Sequence, residues 1–243
     1  MKIIIDADHI TYRASASCSP TKAKPFQEDI VDAIWRAESM ISQIFHDLNS
    51  TDAEFYISGE GNWRYDIYPD YKANRRDIPK PMWLEEVREH LIIQYKAEIV
   101  NGKEVDDMCG IRLTQEGDNA VCASLDKDMK TVPGHHYSWE TRGATWVKPA
   151  MKTLVSPYDA LRNFYAQVIT GDQADNIPGF DGKMRSVIPK FVQKLIEPLQ
   201  EMQDEVDMYE YCRSVYVDKS ILDRNAQVLY IQRKEDDKWQ VPV

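Results

Sequence analysis

Short apolar runs alternate with longer amphipathic stretches along this chain, which predicts an α/β fold with a central, mostly parallel sheet flanked by helices. Lys2–Ile5 carries three consecutive isoleucines, the pattern of a strand buried on both faces. Ile30, Ile34, Ala37, Ile41, Ile44 and Leu48 recur at helical spacing, so Ile30–Leu48 reads as an amphipathic helix. Glu54–Ile57, Glu98–Val100, Ala120–Leu125 and Thr145–Val147 read as further strands. Met82–Tyr95 is predicted as a helix opened by Pro79 and Pro81, and Pro157–Ile169 as a helix with Ser156 at its N-cap. From Lys190 the pattern is helical to Tyr216, and again over Leu222–Ile231.

Two stretches interrupt the alternation. Gly59–Lys80 is polar, aromatic and basic, and Gly171–Arg185 is rich in Gly and Asp. Long connections of this kind in a compact domain usually carry function.

The chain has 243 residues, 43% hydrophobic and 29% charged, the balance of a folded globular protein rather than a disordered one. No apolar run reaches the ~18–20 residues that span a bilayer, and the apolar start is too short for a signal peptide. Cys18, Cys109, Cys122 and Cys212 fit neither a zinc spacing nor a disulfide framework, which predicts a reducing, cytoplasmic setting. A formal net charge of −10 argues against a general nucleic-acid coat. It leaves room for an enzyme that gathers carboxylates around metals and keeps its bases on a local stripe.

The acids recur at element ends. Asp6 follows the first strand, with Asp8 two residues on. Glu104, Asp106 and Asp107 follow Glu98–Val100 and open a helix. Asp126 and Asp128 follow Ala120–Leu125, and Asp172 and Asp175 follow Pro157–Ile169. Taken singly, each group has a structural reading as a helix cap, a favourable charge at a helix N-terminus or a solvated turn. In a parallel α/β sheet, however, the carboxyl ends of the strands share one edge, where ligands bind. Acids gathered there repel one another unless cations neutralise them, and an all-oxygen set favours Mg2+ or Mn2+ over zinc.

Trp63-Arg64-Tyr65, Tyr68, Tyr71-Lys72, Arg75-Arg76 and Lys80 interleave rings with cations, as a surface for phosphates and unpaired bases would. Lys183, Arg185, Lys190 and Lys194 form a second basic set, equally readable as a solvated helix face.

Five segments in order resemble the 5′→3′ exonuclease and flap endonuclease family of PIN-like nucleases, with the stand-alone exonucleases of tailed phages the nearest likeness. They are Ile4-Ile5-Asp6-Ala7-Asp8, Asn62-Trp63-Arg64 with Tyr71-Lys72-Ala73-Asn74-Arg75, Glu104-Val105-Asp106-Asp107, Ser124-Leu125-Asp126-Lys127-Asp128, and Gly171-Asp172-Gln173-Ala174-Asp175-Asn176-Ile177-Pro178-Gly179. The resemblance implies a single nuclease domain over residues 1–243. Residues 1–170 would form a PIN-like or resolvase-like core with a helical arch at about 59–80, and residues 171–243 a helical DNA-binding part with a partial helix-hairpin-helix. It implies two or more Mg2+ or Mn2+ ions held by Asp6, Glu104, Asp106 and Asp107, by Asp126 and Asp128, and by Asp172 and Asp175. Lys72 and Arg75 would act beside the scissile phosphate. Trp63, Arg64, Tyr71, Arg76, Lys80, Lys183 and Arg185 would contact DNA at 5′ ends, flaps or nicks, or an RNA–DNA hybrid. The oligomeric state is open, and a phage-encoded chain would work in the host cytoplasm.

Two departures stand out. The family Asp after the second strand aligns with Gly59, beside Glu60, so either Glu60 serves from a shifted place or that ligand is missing. Gly179-Phe180-Asp181-Gly182-Lys183-Met184-Arg185 keeps only part of the family hairpin. Two other readings remain at this point: a haloacid-dehalogenase-like phosphatase using Asp6 and Asp8, and a catalytically silent structure-specific DNA-binding protein.

Overall fold

The computed structural model describes residues 1–20, 25–143 and 145–243. The elements run β1 (Lys2–Asp6), α1 (Ala7–Ser17), α2 (Ile30–Leu48), β2 (Ala53–Ser58), α3 (Arg64–Ile67), α4 (Leu84–Tyr95), β3 (Glu98–Val100), α5 (Val105–Glu116), β4 (Ala120–Ala123), β5 (Gly134–Ser138), β6 (Thr141–Arg142), β7 (Val147–Lys148), β8 (Met151–Val155), α6 (Pro157–Thr170), α7 (Lys190–Ile196), α8 (Glu205–Val215) and α9 (Leu222–Leu229). They group into two compact units. The first comprises Met1–Gly61, Pro79–Lys127 and Gly134–Leu154; the second comprises Asn62–Ile78, Asp128–Pro133 and Val155–Val243. The second unit thus draws on three stretches of chain and takes in α6, so it does not begin at residue 171.

The first unit is built on a six-stranded sheet of order β3-β2-β1-β4-β5-β8. β1 pairs parallel with both β2 and β4, and β2–β3 and β4–β5 are also parallel. Ile3, Ile4 and Ile5 are fully buried in its centre, as their uninterrupted apolar run demands. The chain moves from β1 to β2 on one side and later to β4 on the other. The carboxyl ends of β1 and β4 therefore flank a topological switch point, where open α/β sheets bind ligands.

Helix starts follow local chemistry. Asp29 and Asp32 form a capping box at α2, and Ser156 Oγ accepts the Asp159 N–H ahead of Pro157 at α6. At the amino end of the sheet, Arg112 clasps Glu54 through two hydrogen bonds of 2.8 Å, and Lys2 Nζ adds an ion pair of 2.9 Å.

Several elements differ from the sequence reading. β5 and β8 were not legible, because Gly134-His135-His136-Tyr137-Ser138 and Met151-Lys152-Thr153-Leu154-Val155 lack a clean apolar run. The strand expected at 145–147 is Val147–Lys148, paired antiparallel with Thr141–Arg142. The long helix expected from Lys190 divides at Pro198 into α7, a 3-10 turn (Glu197–Glu201) and α8. The stretch 59–80, expected as a helical arch, carries only the one-turn α3 and a 3-10 turn (Ala73–Arg75). No described helix is long and apolar enough to cross a membrane.

Candidate active site

In the first unit the site is organised around Asp6. The residue is 2% exposed at the end of the central strand. Oδ1 accepts the Asp8 N–H at 3.1 Å, which makes Asp6 the N-cap of α1. Oδ2 accepts from Ser124 Oγ at 2.9 Å and lies 3.3 Å from His9 Nε2. Ser124 Oγ in turn accepts the Asp126 N–H at 3.0 Å, so one hydroxyl ties the ends of β1 and β4 together. Burial pushes the Asp6 pKa up, and the negative charges of Asp8 and Asp126 push it further, against His9 and the Ser124 hydrogen bond. A buried Asp6 carboxylate beside two further acids is one whose charge a hard divalent cation would relieve. The chemistry therefore fits magnesium or manganese. Among the described residues, no group of three or more His, Cys, Asp or Glu side chains is placed so that it could hold a metal ion as it stands.

At the start of α5, Glu104 and Asp107 form a capping box, with the Glu104 N–H donating to Asp107 Oδ2 at 3.2 Å. Asp107 is fully buried, whereas Asp106 is partly exposed. Asp8 is not the cap that its place after the first strand suggests. Its carboxylate accepts from the Ser58 N–H and hydroxyl at the end of β2, and its Oδ1 sits 3.2 Å from Arg88 Nη1. So engaged, Asp8 is a latch between α1, β2 and α4, not the proton donor that the phosphatase reading requires. Arg88 lacks a local signal that would have marked it.

At Gly59, where the resemblance would put a family carboxylate, the space for a side chain is already filled. A Cβ there would lie 2.2 Å from Asn101 Oδ1 and 2.8 Å from the Val100 carbonyl oxygen. Asn101 Oδ1 accepts the Glu60 N–H at 2.8 Å, and Glu60 is exposed. Beside the Asp6 site a cavity of about 730 Å3 is lined by His9, Tyr12, Arg13, Trp35 and Trp139 among others; the Tyr12 and Trp35 rings are exposed. Neither ring stood out in the sequence, since both occupy ordinary helical positions.

In the second unit two segments about a hundred residues apart are laced together. The Lys72 N–H donates to the Asp175 carbonyl at 3.0 Å, Asn74 Nδ2 to the Gln173 carbonyl at 2.8 Å, Arg75 Nε to the Ala174 carbonyl at 2.7 Å, and Asn176 Nδ2 to the Asp70 carbonyl at 2.8 Å. Asp172 is buried, and its Oδ1 accepts the Ala174 and Asp175 N–H groups. The loop closes tightly: Gly171 has φ +70°, and a Cβ on it would lie 2.5 Å from Gly179 N. Asp128 opens a 3-10 turn to Thr131.

The expected DNA-contact residues separate. Arg64 is 2% exposed, with Nε and Nη2 donating to the Val228 and Tyr230 carbonyls at 2.8 Å, and Tyr71 is 1% exposed. Burial removes both from any surface contact with DNA, which corrects the reading of their alternation with basic residues. Arg185 is pinned by Asp181 and lies over Phe180, while Lys183 is exposed. The Trp63 ring lies under the Arg64 guanidinium at 4.4 Å. Arg76 and Lys80 are exposed, with Lys80 3.0 Å from Glu85. Residues 171–189 connect α6 to α7 without helix. All four cysteines are buried.

The comparisons bear on the fold and the family. The chain is 23% identical over 207 residues to flap endonuclease Xni of Shewanella baltica, covering 82% of this chain and 75% of that protein. It is 25% identical over 181 residues to Xni of another Shewanella strain, covering 72% and 67%. The fold superposes on the bacteriophage T5 5′-exonuclease with bound zinc ions at a TM-score of 0.66 and 16% identity, covering 94% of this chain and 89% of that one. On the T5 flap endonuclease in complex with DNA and metal ions the TM-score is 0.61 at 17% identity, covering 94% and 88%. A profile of the 5′-3′ exonuclease N-terminal resolvase-like domain matches residues 1–152, well over half of the 243 residues, and the chain belongs to that 5′-3′ exonuclease family.

Proposed function

We propose that this protein hydrolyses phosphodiester bonds at or near the 5′ ends of DNA, with flaps, nicks and free ends as substrates, by a mechanism that uses two divalent metal ions. The observation that carries the reading is Asp6: a carboxylate buried at the switch point of the sheet, beside Asp8 and Asp126, whose burial makes sense where a cation is bound. Asp6, Glu104, Asp106 and Asp126 would hold the first magnesium or manganese ion, with Asp107 fixing Glu104 and Ser124 fixing Asp6. Asp128 and Asp172 are the proposed ligands of a second. Bound there, such ions supply charge neutralisation and acidify water for in-line displacement at phosphorus.

The chain's own cations complete the chemistry. Lys72 and Arg75 would stabilise negative charge developing on the phosphate oxygens. Arg76, Lys80 and Lys183 are exposed and suited to backbone phosphates. The exposed rings of Tyr12 and Trp35 offer stacking faces to bases.

The test uses 5′-labelled flap, nicked and blunt duplexes in magnesium, with sized products and an EDTA control. Cleavage near 5′ ends that EDTA abolishes supports the reading. Hydrolysis of a chromogenic phosphate monoester with no DNA cleavage would replace it by a phosphatase. Flap binding unchanged in excess EDTA, with no cleavage under any metal, would replace it by a silent binder.

A further inference from the structure

Asp175 aligns with a metal ligand in the family pattern, yet its carboxylate is already hydrogen-bonded by Tyr71 and Arg75 and faced by the Lys72 ammonium in the second unit. Tyr71 Oη donates to Oδ2 at 2.8 Å, Arg75 Nη2 lies 2.9 Å from Oδ1, and Lys72 Nζ lies 3.8 Å from the same oxygen. The group is half-enclosed, its side chain 17% exposed. A carboxylate whose charge is shared between two cations and a buried phenol is a weakened ligand for a divalent ion. Asp172 Oδ1 accepts two backbone N–H groups of its own loop.

The surrounding backbone serves the same end. Lys72 adopts φ +54°, a left-handed conformation uncommon for a side-chain-bearing residue, and its N–H donates to the Asp175 carbonyl. Arg75 Nε donates to the Ala174 carbonyl while Nη2 meets Asp175, so the guanidinium is fixed at two points although its side chain is 47% exposed. The Lys72 ammonium lies 5.1 Å from the centre of the Tyr71 ring. Tyr71, which reads as a stacking residue in the sequence, is thereby a buried strut beneath the clamp.

We propose that Asp175 is the positioning residue of the two reactive cations: its carboxylate draws Lys72 and Arg75 to one point, and it is not a metal ligand. The inference rests on the nuclease reading for its kinetic consequence but not for its geometric one. Both side chains are long and would otherwise sample many rotamers, so fixing them in advance removes an ordering cost from the transition state.

The test is Asp175→Asn, which keeps shape and removes charge. Three readouts are taken on the full-length protein. Manganese binding without DNA, by calorimetry, is expected to keep its stoichiometry and its affinity within ~2-fold, whereas loss of a ligand typically costs ~10–100-fold. Trypsin cleavage after Lys72 and Arg75 is expected to accelerate by about 5-fold or more as the segment is released. Single-turnover cleavage of a saturating flap substrate is expected to slow ~10–100-fold, with KM changed far less. Combined with Arg75→Gln, the rate should fall little beyond the worse single variant, because the two act as one unit. Weaker or fewer bound manganese ions, unchanged trypsin sensitivity, or additive rate losses would each overturn the clamp. If Asp175→Asn loses its folded circular-dichroism spectrum, Tyr71→Phe replaces it. That variant removes one donor and no charge, and must open the same trypsin sites, though less. A wild-type protein that cuts no DNA overturns the nuclease reading alone, since trypsin and manganese binding still decide the clamp.

Discussion

Asp6 and Ser124, separated by 118 positions in the chain, are joined by a hydrogen bond of 2.9 Å at the carboxyl ends of two adjacent parallel strands. The hydroxyl donates to a buried carboxylate and accepts the Asp126 N–H, so it sets the separation of two acids that would otherwise repel.

Ser124→Ala should therefore act on both stability and metal use. Losing a donor to a buried charged group costs about 1.5–3 kcal/mol. Loss of a group that orients a ligand raises the magnesium concentration for half-maximal cleavage by ~10–100-fold. Urea denaturation and a magnesium titration of flap cleavage check the two effects; normal values in both would show that Ser124 is a bystander.

The two acids that open α5 should separate cleanly on mutation. Asp106 is partly exposed, so Asp106→Asn should abolish cleavage and leave stability within about 0.5 kcal/mol in metal-free buffer. Asp107 is buried and accepts the Glu104 N–H, so Asp107→Ala should cost about 1–2 kcal/mol whatever the metal. Thermal unfolding in EDTA beside a cleavage assay distinguishes them, and a destabilised Asp106→Asn would contradict the assignment.

Restoring the family carboxylate at Gly59 should fail. With Asn101 Oδ1 only 2.2 Å from the position of a new Cβ, Gly59→Asp forces backbone or Asn101 to move, an overpacking cost of about 1–3 kcal/mol. The expected result is a lower midpoint in denaturant and no gain in magnesium affinity. A gain in affinity at unchanged stability would mean that Asn101 yields easily.

The ion cluster at the amino end of the sheet gives a pH signature. Arg112, then Lys2 and Tyr56, hold the Glu54 carboxyl down to about 2 from an ordinary 4.5. The folded-state value is depressed, so the stabilisation is complete above about 4.5 and disappears as pH falls towards about 2. Glu54→Gln should be less stable than wild type by about 1–2 kcal/mol at pH 7, allowing for partial solvent screening, with the difference vanishing near pH 2. Chemical denaturation across that range measures it, and a pH-independent difference would place the effect in packing instead.

What the sequence determined by itself is what depends on near neighbours. The isoleucine run of β1, the helical period of α2 and the cap at Ser156 are all legible from a few adjacent residues, because propensity and capping act over one or two turns. The acids at element ends were legible for the same reason, since a strand end is a local event. Tertiary structure alone decided which side chains still face solvent. Arg64 and Tyr71 read as members of a basic, aromatic stripe, yet their partners are Val228, Tyr230 and Asp175, more than a hundred residues away, and no local pattern signals a carbonyl or carboxylate supplied from that distance. Asp8 found Ser58 and Arg88, and Gly59 met Asn101, by the same route. A side chain's charge is written at its own position; its burial and its partners are set by non-local pairing, which exists only once the strands have taken their register.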